Sequence, residues 1–427
     1  MSTQILQTTR RTLSTFTPQF SDAIQHSLNT PNLFAQFTAL SNQHNAINLG
    51  QGFPTFGTPK FVTDQVTRAV NNQAFNQYSR PGGHPMLNEI LASHYAPLFK
   101  TPTTLDPLSN ICSFNGAQSG LFNIITSYLN EGDELATIEP FFDAYKKAAE
   151  VVGATTVGIP LRSRENVPHT ANDFVLDVDE LASKLSEKTK LLILNTPHNP
   201  TGKVFSEEEL RAIAQVVRSF PNLLVVSDEV YEYSTFQPAK HSRFANIDDD
   251  MWKRTISVYS AGKTFSCTGW RIGFAIGNEQ LIAPLVAAQG VVSFCSATPL
   301  EIAVGYSYQE AQKNGYFDEF AKKLMEKQRL FMDAISDCTA LRPIAADGGY
   351  FLMCDTSNVR LPIECAEEAR DFTVAKFLTE KYRVTGIPIS PFYSKENQHL
   401  SDNVLRFCFA RKDEELREAG RRLCEMT

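Results

Sequence analysis

Lys263 stands in the segment Ser260-Ala261-Gly262-Lys263-Thr264-Phe265-Ser266-Cys267-Thr268-Gly269-Trp270-Arg271-Ile272-Gly273, between two apolar runs. A lysine flanked by small residues is open to desolvation, which lowers its pKa and readies the neutral amine to condense with a carbonyl. Thirty-five positions upstream (263 − 228), Ser227-Asp228-Glu229-Val230-Tyr231 follows the apolar run Leu223–Val226. A carboxylate at the carboxyl end of a parallel strand points into the crevice where α/β proteins bind ligands. Two further runs end in Asn195-Thr196-Pro197-His198-Asn199-Pro200-Thr201-Gly202 and in Asn115-Gly116-Ala117-Gln118-Ser119-Gly120. The second precedes an expected helix, Leu121–Leu129, whose first free N–H groups would form an anion site. Taken singly, each segment also reads as a cap, a turn or a solvated loop, and a lone lysine of this kind is more often a surface residue. A phosphate-loop reading of Gly262-Lys263-Thr264 fails, because that motif needs glycine at position 257, which is Ser.

The elements that must position these residues follow from the hydrophobic pattern. From about Ile111 to Ile276 apolar runs alternate with helix signals, the pattern of an α/β domain with a largely parallel sheet. The expected strands are Ile111–Phe114, Leu135–Ile138, Leu191–Leu194, Leu223–Val226, Ile256–Tyr259 and Gly273–Ile276. Their apolar character is continuous rather than alternating, as for strands covered on both faces. Ser206 with Glu209 three residues on forms a capping box that fixes the start of the helix after Asn199-Pro200-Thr201-Gly202. Beyond about Leu300, amphipathic stretches (Glu301–Gln312, Phe317–Thr339, Phe372–Lys381) and two strand-like runs (Tyr350–Cys354, Val404–Phe409) read as a second, α+β domain.

Composition removes several classes. The 427 residues carry 40 Lys+Arg and 47 Asp+Glu, a net charge of −7, with 42% hydrophobic and 20% charged residues, which is an ordinary globular mixture. At ~150 residues per domain the length suggests roughly three units. The acidic excess offers no footprint for a nucleic acid. The longest apolar stretch, Leu281 to Ala297, is broken by Pro284, Gln289, Gly290 and Ser293, so no membrane helix is expected. Eight cysteines, none spaced Cys-x-x-Cys, suit a reducing compartment, and neither disulfides nor zinc are expected. The eight histidines lack metal-ligand spacing, His198 reads as a loop residue, and no metal is expected. Up to Ser21 the chain has no acidic residue and carries Arg10 and Arg11, which fits a mitochondrial presequence or a disordered tail. Cytoplasmic or mitochondrial localisation is the corresponding expectation.

Together, at this order and spacing, the segments resemble the fold-type I, class I aminotransferases that use pyridoxal phosphate. The resemblance runs from Asn48-Leu49-Gly50-Gln51-Gly52-Phe53-Pro54 through Gln77-Tyr78-Ser79 and Glu139-Pro140-Phe141-Phe142-Asp143 to Leu405-Arg406-Phe407-Cys408-Phe409. Gly50-Gln51-Gly52 is not a dinucleotide fingerprint, since position 55 is Thr. The resemblance implies an α/β fold with a mostly parallel mixed sheet between helices plus a smaller α+β domain. The implied division is an N-terminal arm at 1–47, a large cofactor domain at 48–299 and a small domain at 300–427.

It also implies roles. Lys263 would form the Schiff base with pyridoxal 5'-phosphate and, once released, move a proton between the substrate α-carbon and the cofactor. Asp228 would partner the ring nitrogen, and Tyr231 with Asn199 would bond the ring hydroxyl. Ala117 and Gln118 through their backbone, with Ser260 and Arg271, would hold the phosphate, joined by Tyr78 from a second subunit in a homodimer with shared active sites. Phe142 would stack on the ring, with Phe141 or plain core packing as the alternative. Arg406 would take the substrate α-carboxylate as a planar fork, with Asn199 and the Gly52 backbone opposite.

Within that family the strings at 48–54, 139–143, 195–205, 260–270 and 406–409 are most similar to kynurenine aminotransferases, a group that includes glutamine transaminase K and cysteine-conjugate β-lyases. An aspartate-specific enzyme would want a second arginine, reaching from the partner chain, for the side-chain carboxylate, and the matching region Val291-Val292-Ser293-Phe294 offers apolar and aromatic groups instead. Phe34, where the family often has Trp, would line an aromatic pocket with Phe53, Phe294, Phe392 and Tyr231, though core packing is the alternative for each phenylalanine. The implied reaction moves the amino group of kynurenine or a related aromatic or large neutral amino acid to a 2-oxo acid, 2-oxoglutarate by family expectation. β-Elimination from cysteine conjugates, glutamine, methionine or phenylalanine transamination, and a synthase reaction are the alternatives on the same fold. A regulator without chemistry would lack the reactive residues, whereas Lys263, Asp228, Tyr231 and Arg406 all stand.

Overall fold

The computed structural model describes residues 32–100, 104–164, 168–362 and 369–426. The stretch up to Ser21 therefore lies outside the described residues. An eight-stranded sheet carries the architecture, in the order Ile111–Phe114, Gly273–Gly277, Thr255–Ser260, Leu224–Asp228, Thr189–Asn195, Glu134–Glu139, Thr155–Ser163 and Phe174–Leu176. The five neighbouring strands from Thr255–Ser260 to Thr155–Ser163 run parallel. Gly273–Gly277 runs antiparallel to both its neighbours, and the edge strand Phe174–Leu176 runs antiparallel to Thr155–Ser163. The sheet is thus mixed but mostly parallel.

All six expected strands are present, Ile111–Phe114 with its expected bounds and the others with bounds shifted by at most two residues. Two more were not expected. Thr155–Ser163 contains Gly158 and Pro160, which read as turn signals, yet it is paired over its length. Adjacent residues of the central strands divide between the two faces: Leu192, Leu194 and Val225 join one apolar cluster, while Leu191, Ile193 and Val226 join another. Both faces are dry, which is why the sequence shows no alternation.

The helix expected at Leu121–Leu129 is instead Ala117–Tyr128, four residues longer at its start, so Ala117 and Gln118 form its first turn. The capping box of Ser206 and Glu209 is present at the start of Glu207–Arg218. In the C-terminal region an antiparallel sheet is ordered Arg342–Ile344, Phe351–Asp355, Val404–Cys408, Ile387–Pro388, with helices Tyr316–Ala334 and Asp413–Leu423 packed on each other. Phe372–Lys381 resolves into the helix Arg370–Phe377 and a wider turn at Leu378–Tyr382. The described part of the N-terminal arm joins this region, because Ile47–Asn48 pairs in parallel with Val384–Thr385. Helix Thr298–Asn314 packs on Lys60–Val70 and Pro85–Tyr95. Among the described residues no helix is long and apolar enough to cross a membrane.

Candidate active site

Four strands of the large sheet end at one cleft. Leu224–Asp228 delivers Asp228, Thr189–Asn195 delivers Asn195, Thr255–Ser260 delivers Ser260, and Ile111–Phe114 leads through Gly116 into helix Ala117–Tyr128. These are the carboxyl ends of parallel strands, where the strand order opens a crevice. The C-terminal sheet faces them with Phe351 and Arg406, and the cleft between encloses about 410 Å³, the size of a small-molecule site.

The anion end is built by close approach. Gly116 has φ +89°, and a Cβ there would sit 2.4 Å from Arg271 Nη2. A Cβ on Gly273 would lie 2.4 Å from the Ala117 nitrogen. Glycine at both positions lets the first turn of the helix lie against the Gly273 strand with the Arg271 guanidinium beside it. Free N–H groups and a guanidinium then share one spot, a combination suited to a phosphate.

Lys263 lies on a single helical turn, Ala261–Thr264, directly after Ser260. Its backbone carbonyl accepts from the Tyr350 hydroxyl, and its Nζ donates to the Gly52 carbonyl. Burial, with Arg406 and Arg271 nearby, pulls the amine down to about 8 from its ordinary 10.5. Asp228 lies on the adjacent strand, paired with Val258. Burial pushes its carboxyl up to about 6, while the hydrogen bond from Tyr145 works in the opposite direction. The Tyr145 hydroxyl donates to Asp228 Oδ2 at 2.5 Å. Asp228 and Lys263 line the same cleft and each feels the other's charge, so an amine and an acid converge there.

The next residue, Glu229, faces the other way. It is fully buried and accepts from Ser227, Ser257 and Tyr259, with His241 Nε2 at 2.8 Å and Arg243 Nε at 3.5 Å. Burial opposes its charge, yet His241 and Arg243 hold it below the ordinary carboxylate range. Glu229, Glu232 and His241 bring potential ligand atoms within 4.8 Å of one another, but Arg243 is paired to both carboxylates and supplies the cation.

Arg406 is fully buried on the strand Val404–Cys408. Nη1 donates to Asn199 Oδ1 at 3.0 Å, Nη2 donates to the Gly50 carbonyl at 2.9 Å, and the guanidinium lies 4.0 Å over the Phe351 ring. Burial pulls its pKa down to about 10, which leaves it cationic at neutral pH. Its partners are neutral oxygens, which a carboxylate would replace with gain.

The structure gathers Lys263, Asp228, Tyr231, Asn199, Ala117, Gln118, Ser260, Arg271, Phe142, Gly52, Arg406, Phe34 and Phe53 around this cleft. Phe142 lines it while packing against the apolar cluster that contains the buried Phe141. Three expected residues are elsewhere. Phe294 does not line the cleft of its own chain, and neither does Tyr78. Both are exposed on the surface, Tyr78 by 85%, with their rings edge-on at 5.4 Å. Phe392 is fully buried behind Arg406, its ring centroid 5.4 Å from the guanidinium, and supports the wall rather than forming it. Sequence reasoning missed Tyr145, which sits three residues past Phe142 on the helix Ala144–Val151, and Phe351 opposite it. The expected strand Tyr350–Cys354 was the available signal for Phe351, and nothing local marked Tyr145.

Comparison with known proteins agrees with this geometry. The family described as aminotransferase class I and II matches residues 44–423. The chain is 38% identical over 439 residues to the kynurenine--oxoglutarate transaminase of Dictyostelium discoideum, covering 99% of this chain and 100% of that one. The crystal structure of Bna3p, a putative kynurenine aminotransferase from Saccharomyces cerevisiae, superposes with a TM-score of 0.90 at 30% identity, covering 96% of this chain and all of that one. YbdL from Escherichia coli, described as having a methionine aminotransferase function, superposes with a TM-score of 0.85 at 29% identity over 96% of this chain and all of YbdL.

Proposed function

Because the chain belongs to the aminotransferases of class I and II, we propose that it moves the amino group of kynurenine and related aromatic or large neutral amino acids to a 2-oxo acid, with pyridoxal 5'-phosphate as cofactor. The observation that carries the proposal is the convergence of Lys263, Asp228 and Arg406 on one cleft. The cleft residues fit that cofactor: an amine lowered to about 8, a buried carboxylate, and a helix N-terminus beside a guanidinium. When bound, the cofactor supplies an aldehyde for attachment and a cationic ring that takes up electron density.

Lys263 Nζ would hold the cofactor aldehyde and, once the substrate amino group has displaced it, would be the free amine that takes the proton from the substrate α-carbon. Asp228 keeps the ring nitrogen protonated by Coulomb attraction in a site of low dielectric. The N–H groups of Ala117 and Gln118, with Ser260 and Arg271, bind the phosphate, and Phe142 covers the ring. Tyr231 and Asn199 serve the ring hydroxyl. Arg406 and Asn199 hold the α-carboxylate. Phe34, Phe53 and Phe351 supply an apolar wall for a large side chain. Among the described residues of one chain, the cations lining the cleft are Lys263, Arg271 and Arg406, each of which already has an assignment. Tyr78 and Phe294, adjacent and exposed, serve the site of a second copy in a homodimer.

A panel of amino donors assayed with several 2-oxo acids tests the proposal. Kynurenine and phenylalanine are expected to exceed aspartate in kcat/KM by at least about 10²-fold, since a dicarboxylate would bury an unpaired charge. Preference for aspartate, or ammonia and pyruvate released from cysteine conjugates with no transfer, would overturn it.

Tyr145→Phe removes the bond that favours ionised Asp228. The Asp228 pKa is expected to rise further above its ordinary value, moving the acid limb of the kcat/KM profile to higher pH. The dissociation constant of pyridoxal phosphate is expected to rise about tenfold, the worth of one hydrogen bond to a charged group. An acid limb that stays in place would show that Tyr145 does not set this charge.

A further inference from the structure

Five consecutive carbonyls, from Leu49 to Phe53, each accept a hydrogen bond from a separate donor group. The Cys408 N–H takes Leu49 at 2.6 Å, Arg406 Nη2 takes Gly50 at 2.9 Å, Arg411 Nη2 takes Gln51 at 2.6 Å, Lys263 Nζ takes Gly52, and Arg411 Nη1 takes Phe53. The partners alternate. Gly50 and Gly52 face the two reactive cations, whereas Gln51 and Phe53, each at a bend of the chain, face Arg411. Arg411 is 1% exposed, and none of the ion pairs among the described residues includes it. The two carbonyls and the Phe53 ring, 4.9 Å from its guanidinium, surround its charge.

We propose that Arg411 is a positioning residue for the donor's carboxylate: it fixes the segment 49–53 while the other side of that segment exchanges partners. The inference rests on the assignment of Arg406 and Lys263 made above. A carboxylate arriving at Arg406 takes the donor that Gly50 now uses, and attachment of an aldehyde at Lys263 takes the donor that Gly52 uses. Two carbonyls of the segment then lose their partners, and the interleaved pair held by the Arg411 fork keeps the backbone and the Phe53 wall where the carboxylate pocket needs them. A fork of fixed geometry can span two carbonyls, and an ammonium cannot do so with the same rigidity. Gln51 adds a second tether from its side chain, to Thr38 Oγ1 at 2.7 Å and to the Phe34 carbonyl at 3.2 Å.

The test uses the holoenzyme with Arg411→Lys and Arg411→Met, reading KM and kcat for phenylalanine and, by calorimetry, the affinity of 3-phenylpropionate, a carboxylate without an amino group. Both variants are expected to raise KM and the 3-phenylpropionate dissociation constant by about tenfold, equal to one well-formed charge-assisted bond, with kcat within about threefold. Thermal melts check the fold. Values within twofold of wild type in both variants, or a fall in kcat alone, would overturn the inference. In the wild-type enzyme, amide hydrogen exchange over 49–53 is expected to stay as slow or slower when 3-phenylpropionate is bound, and faster exchange would overturn it without any variant. Arg406→Gln separates the two ideas. If that variant binds 3-phenylpropionate as wild type does, the carboxylate assignment fails; if it does not and the Arg411 variants bind normally, only the role of Arg411 fails.

Discussion

Replacing Lys263 by alanine is expected to lower kcat for transamination by at least about 10³-fold, because attachment and proton transfer are lost together. Among the described residues no other lysine lines the cleft to take over. The variant should also fail to be trapped by borohydride with pyridoxal phosphate, whereas the wild-type protein should yield one labelled peptide containing residue 263. The apoenzyme offers a pH test of the same residue. Only the neutral amine attacks, and with its pKa lowered to about 8 roughly a quarter is neutral at pH 7.5, against about one part in a thousand for an ordinary lysine. Capture of the aldehyde, followed by stopped-flow absorbance, should quicken as pH rises toward 8 and level off above it. A profile still climbing steeply at pH 9.5 would show that the amine is not desolvated, and a trapped alanine variant would place the chemistry elsewhere.

Asp228→Asn is expected to cost roughly 10²–10³ in kcat, the scale seen when one preorganised electrostatic group is removed from a buried site. The substitution keeps the shape, removes the charge and turns one of the two acceptor oxygens, which take hydrogen bonds from Tyr145 and Val230, into a donor. Glu229, although adjacent, cannot compensate, since its carboxylate is engaged with His241, Arg243 and two serines on the other face of the strand. Measured kcat for Asp228→Asn within tenfold of wild type would remove the carboxylate from its assigned role. Fluorescence titration of the apoprotein should show weaker cofactor binding in the same variant.

Much of the site was legible because its residues stand next to apolar strands that cannot be mistaken. Asp228, Asn195 and Ser260 are each the last residue of a strand whose buried run is plain in the sequence. Thr155–Ser163 was illegible because a glycine and a proline interrupt its pattern, although in the fold both sit in register on one neighbouring strand, opposite Thr137 and Glu139. Nor does hydrophobicity report strand direction, so the reversal of Gly273–Gly277 could not be read from its apolar run. Tyr145 and Arg411 escaped for another reason: each acts on a partner far away in the chain, Asp228 in one case and Gln51 with Phe53 in the other. Tyr78 and Phe294 show the converse limit, because on one chain they stand exposed and ring against ring, away from the cleft.

The cleft has two ends made of different material. Its reactive end rests on strand termini of the buried eight-stranded sheet, while its apolar wall comes from an N-terminal helix, an irregular segment and the facing sheet, through Phe34, Phe53 and Phe351. Selection can therefore retune which side chain is admitted by exchanging wall residues one at a time, without disturbing the groups that break and make bonds. Divergence of donor range among descendants of such a scaffold needs no new catalytic invention, and a laboratory library confined to those three positions would sample the same freedom.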